Sequence, residues 1–271
     1  MFPMLALPPN QIHLWFSRTD EAQDIELLER YRALLSAEER AQEQKFHFAE
    51  DAHRFLLTRA LVRTVLSRYV DMAPAQWAFG KNASGKPFVS NTHAAAAQLQ
   101  FNVSHTKGLV VLGVSTDAAL GVDAECVGGR SERMAPMALM ELAEATFSAT
   151  ELQAFSLFAG LATQQQQEER FFQHWTLKES YTKARGLGLA IPLKRVGFAF
   201  LPPRRVQLSL DAALKDRADA WNVWQFRPTA EHWVAVCAER RGAEPQQLRW
   251  CKTVPLVSEY AVELAPVWAS N

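Results

Sequence analysis

The stretch FFQHWTLKESYTKARGLGLAIPL, residues 171–193, decides how the rest of the chain is read. Phe171, Phe172 and Trp175 give it an apolar face, Lys178, Glu179 and Lys183 give it charge, and Gly186, Gly188 and Pro192 end it. The pattern predicts a helix of about three to four turns from near Phe171 to Arg185. Gly186 stands where a C′ glycine stops a helix, and Lys183 and Arg185 suit the negative end of its dipole. Trp175, Glu179 and Lys183 fall at i, i+4 and i+8 and line one side, with Lys178 about 100° round from Glu179. The plain structural reading is an exposed Glu179–Lys183 ion pair, worth ~0.3–0.5 kcal/mol, on a helix whose aromatics are core. Motifs upstream argue for more.

The 271 residues suffice for one large domain or two of moderate size. The 29 basic and 29 acidic residues sum to a net charge of zero, so any anion site must be built locally, and no basic field invites nucleic acid. A hydrophobic fraction of 48% fits a globular protein with a sizeable core. Cys126, Cys237 and Cys251 lack CxxC spacing, and their odd number points to a reduced compartment rather than a disulfide framework. The opening MFPMLALPPN has no basic n-region, and no apolar run approaches the ~20 residues of a membrane span. The expected location is the cytoplasm, with no membrane partner.

Taken in order, QIHLWFS (11–17) reads as a strand and residues 20–35 as a helix. Ser36 with Glu39 is a capping box opening a short helix to near Lys45. Asp51 opens a longer helix to near Tyr69, whose apolar stripe includes Leu56, Leu61 and Val65. Arg54, Arg59 and Arg63 fall mainly off that stripe, as a solvated face or as a reach toward an anion. NASGKPFVS (82–90) reads as a hairpin turn, and 93–99 carries no clear signal. QFNVSHT (100–106), LVVLGVS (109–115) and the return over 116–126 read as strands. Near the end of the last stands Asp123-Ala124-Glu125. Residues i and i+2 of a strand share a face, so two carboxylates project together, a donor set that suits Mg²⁺ with waters and phosphates. A solvent-facing strand edge would read the same way. GlyGlyArg (128–130) is a loop, and a Met-rich helix runs to near Glu144. A second capping box, Ser148 with Glu151, has Phe147 and Leu152 as its staple. TQQQQEE (163–169) reads as a polar loop. Strands are expected at 195–200, 205–210, 221–227 and 232–238, with an extended tail around Trp250 and 253–257. There is no P-loop, GxGxxG, GxSxG, HExxH or zinc spacing.

Together FNVSHT (101–106), GVDAE (121–125) and WTLKESYTKARGLGL (175–189) resemble the 4′-phosphopantetheinyl transferase superfamily. The likeness is to its long single-chain branch, typified by the surfactin-synthetase-activating enzyme. EDAHR (50–54) and GKP (85–87) extend it, so that it covers residues 36–193. The resemblance implies an α+β fold of two similar halves, 1–118 and 119–271, related by a pseudo-twofold axis, with coenzyme A in the cleft between them. It implies transfer of the phosphopantetheine arm of coenzyme A to a serine of an apo acyl or peptidyl carrier protein, with release of 3′,5′-ADP. It further implies dependence on Mg²⁺ (or Mn²⁺) and a monomer.

Residue by residue, the resemblance makes Asp123, Glu125 and Glu179 metal ligands. Glu179 is also the base for the carrier serine, directly or through a metal-bound water. Lys183 holds the pyrophosphate and stabilises the leaving phosphate, with Lys178 assisting. Ser104 and His105 contact the coenzyme A phosphates, and Lys86 and Arg54 the nucleotide end with its 3′-phosphate. Three carboxylates so placed would repel one another, so at least one is expected to have a raised pKa without metal. The chain departs from the family at the helix after Ser36, often basic in relatives. Here it reads EERAQEQK, and its Arg40 and Lys45 are not placed in the site. Two other readings compete: a non-catalytic coenzyme A or nucleotide-binding module, and a metal-dependent phosphohydrolase. The complete set Asp123, Glu125, Glu179 and Lys183 argues against the first, and ADP release without a carrier would mark the second.

Overall fold

Local signals place most of the helices in the computed structural model, which describes residues 3–116, 118–127, 134–242 and 244–270. The loop expected at 128–130 lies outside these. In chain order the elements are β1 (Gln11–Arg18), α1 (Ile25–Leu34), α2 (Ala37–Glu43), α3 (Ala49–Leu66), β2 (Phe79–Lys81), β3 (Pro87–Val89), α4 (Ala94–Ala97), β4 (Leu99–Thr106) and β5 (Leu109–Thr116). Then come β6 (Leu120–Cys126), α5 (Pro136–Thr146), α6 (Ala149–Ala159), α7 (Gln164–Arg185), β7 (Val196–Leu201), β8 (Arg205–Leu210), β9 (Trp221–Thr229) and β10 (His232–Glu239). The tail adds β11 (Gln247–Val254), β12 (Ser258–Val262) and β13 (Trp268–Ala269). The fold is thus mixed α and β, as expected.

The capping boxes at Ser36/Glu39 and Ser148/Glu151 both form, each with its serine accepting from the third backbone N–H and the glutamate accepting in return. Three expectations change. TQQQQEE is not a loop: α7 starts at Gln164, because Thr163 and Gln166 make a third capping box and glutamine is a good helix former. Residues 20–35 are not one helix, since Asp24 breaks the run and caps α1 by accepting from Leu27 N. The featureless stretch 93–99 contains the one-turn α4.

The chain divides into two compact units. The first comprises Met1–Asn82, Pro87–Ala118 and Arg241–Glu263. Its sheet runs β12-β11-β1-β5-β4, with only the β1–β11 pair parallel. Helix α3 covers the sheet, burying Leu57, Leu61 and Val65 with Trp15, Phe101 and Leu112. The second unit comprises Ala83–Lys86, Ala119–Arg240 and Leu264–Asn271, and its sheet runs β6-β10-β9-β13-β8-β7. Here α7 covers the sheet, burying Leu177, Tyr181 and Ala184 with Val196, Val223 and Ala235. A second cluster gathers Phe147, Phe155 and Phe171, with Trp175 only partly buried at its edge.

Two glycines fix α7. Gly186 takes φ +63° and ends the helix by donating to Thr182 O and Lys183 O at 3.0 and 3.2 Å. Gly121 lets the helix lie directly on β6: a Cβ there would stand 2.0 Å from Ser180 O and 2.3 Å from Ala184 N. Both neighbours are backbone and cannot swing aside. Gly121→Ala should therefore cost about 3 kcal/mol or more in urea unfolding. An unchanged midpoint would show that α7 can lift off β6 freely.

Candidate active site

The contact at Gly121 turns the Trp175, Glu179, Lys183 side of α7 toward the Asp123, Glu125 face of β6. Lys183 Nζ donates to Asp123 Oδ1 at 2.5 Å, with Asp123 buried and Lys183 half-buried. Trp175 Nε1 donates to Glu125 Oε1 at 3.1 Å. Trp175 is thus a hydrogen-bonding wall of the site as well as an apolar flank. Burial raises the Glu179 pKa, and the Asp123 charge raises it further, against the opposing pull of Lys183. One carboxyl of the group is therefore shifted up, by burial first and by the neighbouring acid second.

Among the described residues no three His, Cys, Asp or Glu side chains form a group that could hold a metal ion. The ammonium of Lys183 lies on Asp123, and the indole of Trp175 holds Glu125. The donor chemistry still suits a hard cation. Two mutually repelling carboxyls in a desolvated place gain from added positive charge, and a carboxylate can accept an N–H and ligate a metal together.

Lys178 does not join this group, which corrects its expected phosphate role. One position round the helix, it is fully buried, paired with Glu151 Oε2 at 2.7 Å and donating to Leu193 O at 3.0 Å and to Val196 O. Glu151 Oε1 also binds His174 Nδ1 at 3.2 Å and accepts from Phe198 N at 2.7 Å. Burial pushes the Glu151 pKa up, but the His174 hydrogen bond and the Lys178 charge carry it down to about 2. The sequence marks Glu151 only as a helix cap; nothing local signals its buried partners.

Lys86 Nζ donates to Leu120 O at 2.9 Å and to Ala184 O at 3.2 Å, and burial lowers its pKa to about 8. It ties the start of β6 to the last turn of α7. In the first unit, Arg54 pairs with Asp51. Ser104 is buried in β4 opposite Val111, and the exposed His105 stands opposite Val110. His105 lines a groove of about 960 Å³ with Glu39, Phe55, Arg59, Phe79 and Lys81. Of the three arginines of α3 beside its apolar stripe, Arg63 is buried against Glu39 at 2.6 Å. Arg59 lies over the Phe55 ring at 5.1 Å, with Nε 3.6 Å from Glu39. Arg59 and Arg63, rather than Arg54, line the groove, and the spacing of the three could not single them out.

Removing Lys178 should be a stability defect. Lys178→Met leaves Glu151 buried without its ammonium and should cost about 3–5 kcal/mol in chemical denaturation. The lowered Glu151 pKa stabilises the fold above its ordinary 4.5, and this contribution is lost as pH falls toward about 2. Glu151→Gln should flatten the acid limb of the stability profile. A Lys178→Met protein as stable as wild type would remove the buried network.

The chain matches the family model described as 4′-phosphopantetheinyl transferase, N-terminal, over residues 22–117, and the 4′-phosphopantetheinyl transferase superfamily model over residues 119–237. It is 30% identical over 244 residues to the 4′-phosphopantetheinyl transferase HetI of Nostoc sp. (strain PCC 7120 / SAG 25.82 / UTEX 2576), covering 90% of this chain and 94% of that one. It is 32% identical over 211 residues to the 4′-phosphopantetheinyl transferase Sfp of Bacillus subtilis (strain 168), covering 78% and 84%. Against a phosphopantetheinyl transferase of Thraustochytrium sp. (strain ATCC 26185 / S-3) it is 31% identical over 217 residues, 79% and 74% of the two chains. These likenesses run past the motifs at 36–193 on both sides, and they make this chain a transferase enzyme belonging to the 4′-phosphopantetheinyl transferase superfamily.

Proposed function

We propose that the enzyme moves the 4′-phosphopantetheine arm of coenzyme A to a serine hydroxyl of an apo acyl or peptidyl carrier protein and releases 3′,5′-ADP. The observation that carries the site assignment is the group Asp123, Glu179 and Lys183, two carboxyls and one ammonium brought together by α7 and β6. Family membership and the names of the relatives support the transferred group.

Asp123, Glu125 and Glu179 would hold Mg²⁺ or Mn²⁺. Bound there, the ion would neutralise charge on the pyrophosphate oxygens. Glu179 takes the proton of the serine hydroxyl, directly or through a bound water. Lys183 meets the pyrophosphate as a point charge and balances the negative charge that grows on the leaving oxygen. The serine Oγ–phosphorus bond forms as the phosphorus–oxygen bond to 3′,5′-ADP breaks. Ser104 and His105 are kept as phosphate contacts; of the two, His105 lines the groove of the first unit, where Arg59 and Lys81 supply cationic side chains. Arg54 and Lys86 are secondary, their charges being met by Asp51 and by backbone carbonyls.

Intact-mass spectrometry of apo carrier proteins incubated with enzyme, coenzyme A and Mg²⁺ tests this. One phosphopantetheine should be added, and none with EDTA. Asp123→Ala and Lys183→Ala should nearly abolish transfer, and Glu179→Gln should slow it by about 10²-fold or more. Because Glu179 must be deprotonated to act, the rate should fall at acid pH. Wild-type rates in any of the three variants would overturn the site. Tight coenzyme A binding without transfer to any of several carriers would favour the non-catalytic module.

A further inference from the structure

The second unit holds a pocket of about 300 Å³ whose walls include none of Asp123, Glu125, Glu179 or Lys183. It is bounded by the start of α6, by Arg170 and His174 of α7, and by β7 and β8. Phe155, Phe158, Phe198 and Phe200 make most of it apolar. Gly197 keeps it open, since a Cβ there would stand 2.6 Å from Ser209 Oγ and 3.3 Å from Ser148 Oγ.

Arg170 is the unusual wall. Its guanidinium lies over the rings of Phe158 and Phe200, at 5.2 and 4.8 Å. Among the described residues no carboxylate pairs with it and no hydrogen bond from it is formed. Burial lowers its pKa with no anion acting against the shift. The other charged groups on this face cancel among themselves. Glu151 is matched by Lys178 at 2.7 Å and by Phe198 N at 2.7 Å. His174 is held below its ordinary pKa by burial, and the Arg170 charge pushes the same way. Ser148, Thr150 and Ser209 add hydroxyls to the walls, and α6 directs the positive end of its dipole toward the first two. The pocket therefore combines an apolar body with one uncompensated, planar cation. A guanidinium meets a carboxylate through two parallel N–H bonds, and a mostly apolar cavity of this size suits a small ligand with a single charged end.

We propose that this pocket binds a small carboxylate with an apolar or aromatic body, the acid on Arg170 and the body among the phenylalanines. The site is separate from the transfer reaction and needs no coenzyme A. Isothermal titration of the full chain with 4-phenylbutyrate tests it, with 4-phenyl-1-butanol as the uncharged match. The acid should bind about tenfold or more tighter than the alcohol, and Arg170→Gln should erase that difference. Ala154→Phe, at an exposed wall position of α6, should block the acid without touching Arg170 or the core. The proposal is overturned if wild type fails to bind the acid at millimolar concentration, or if acid and alcohol bind alike. It is equally overturned if Arg170→Gln or Ala154→Phe takes up the acid as wild type does.

Discussion

The approach of α7 to β6 at Gly121 is the constraint on which the candidate site rests. With backbone at 2.0 Å from where a Cβ would be, the helix has no freedom to rise or roll there. Two periodicities then meet. Trp175, Glu179 and Lys183 make a row about 12 Å long on the helix, and Asp123 and Glu125 stand about 6.7 Å apart on the strand. The ends of the longer row reach inward, Lys183 to Asp123 and Trp175 to Glu125. That leaves Glu179 in the middle, where burial raises its pKa and the Asp123 charge adds to the rise. Each of the three roles follows from one residue that has no side chain.

Adjacent residues on this helix meet opposite fates. Lys178 and Glu179 differ by about 100° of rotation. Lys178 enters the core and completes a closed network with Glu151 and His174, in which every charge has its partner. Glu179 faces β6 and joins a group with two acids and one base, which is electrostatically incomplete. A closed network fixes structure, and an open one is available to a substrate or a cation. The contrast separates these two ionic clusters more sharply than burial does, because both are largely removed from water.

Much of this was legible where the signals are local. The capping boxes at Ser36 and Ser148, the αL stop at Gly186, the paired acids at 123 and 125 and the row 175/179/183 all depend on residues a few positions apart. The helical part of TQQQQEE was not legible, because a run of glutamines carries no apolar period and its capping box lacks the acidic partner that usually draws notice. The parallel pairing of β1 with β11 joins residues 11–16 to 247–252, and no local rule reports such a contact. The burial of Lys178 is hidden for a related reason. A lysine beside a glutamate of the candidate site looks functional until the partner from α6 is known, and Glu151 has a sufficient local task as a helix cap.

The same limit bears on the acidic helix α2. A sequence of EERAQEQK offers little to a phosphate, yet Glu39 is turned toward α3, where it meets Arg63 at 2.6 Å and Arg59 at 3.6 Å. The groove beside it draws its cationic side chains from α3 and β2, Arg59, Arg63 and Lys81, rather than from α2. One carboxylate shared by two guanidiniums leaves that cluster with more positive than negative charge, so acidity in α2 and a cationic groove wall are compatible. A formal net charge of zero over the whole chain conceals such places. What an anion meets is the local remainder after pairing, and that remainder is set by the tertiary contacts of each glutamate, not by the count of them.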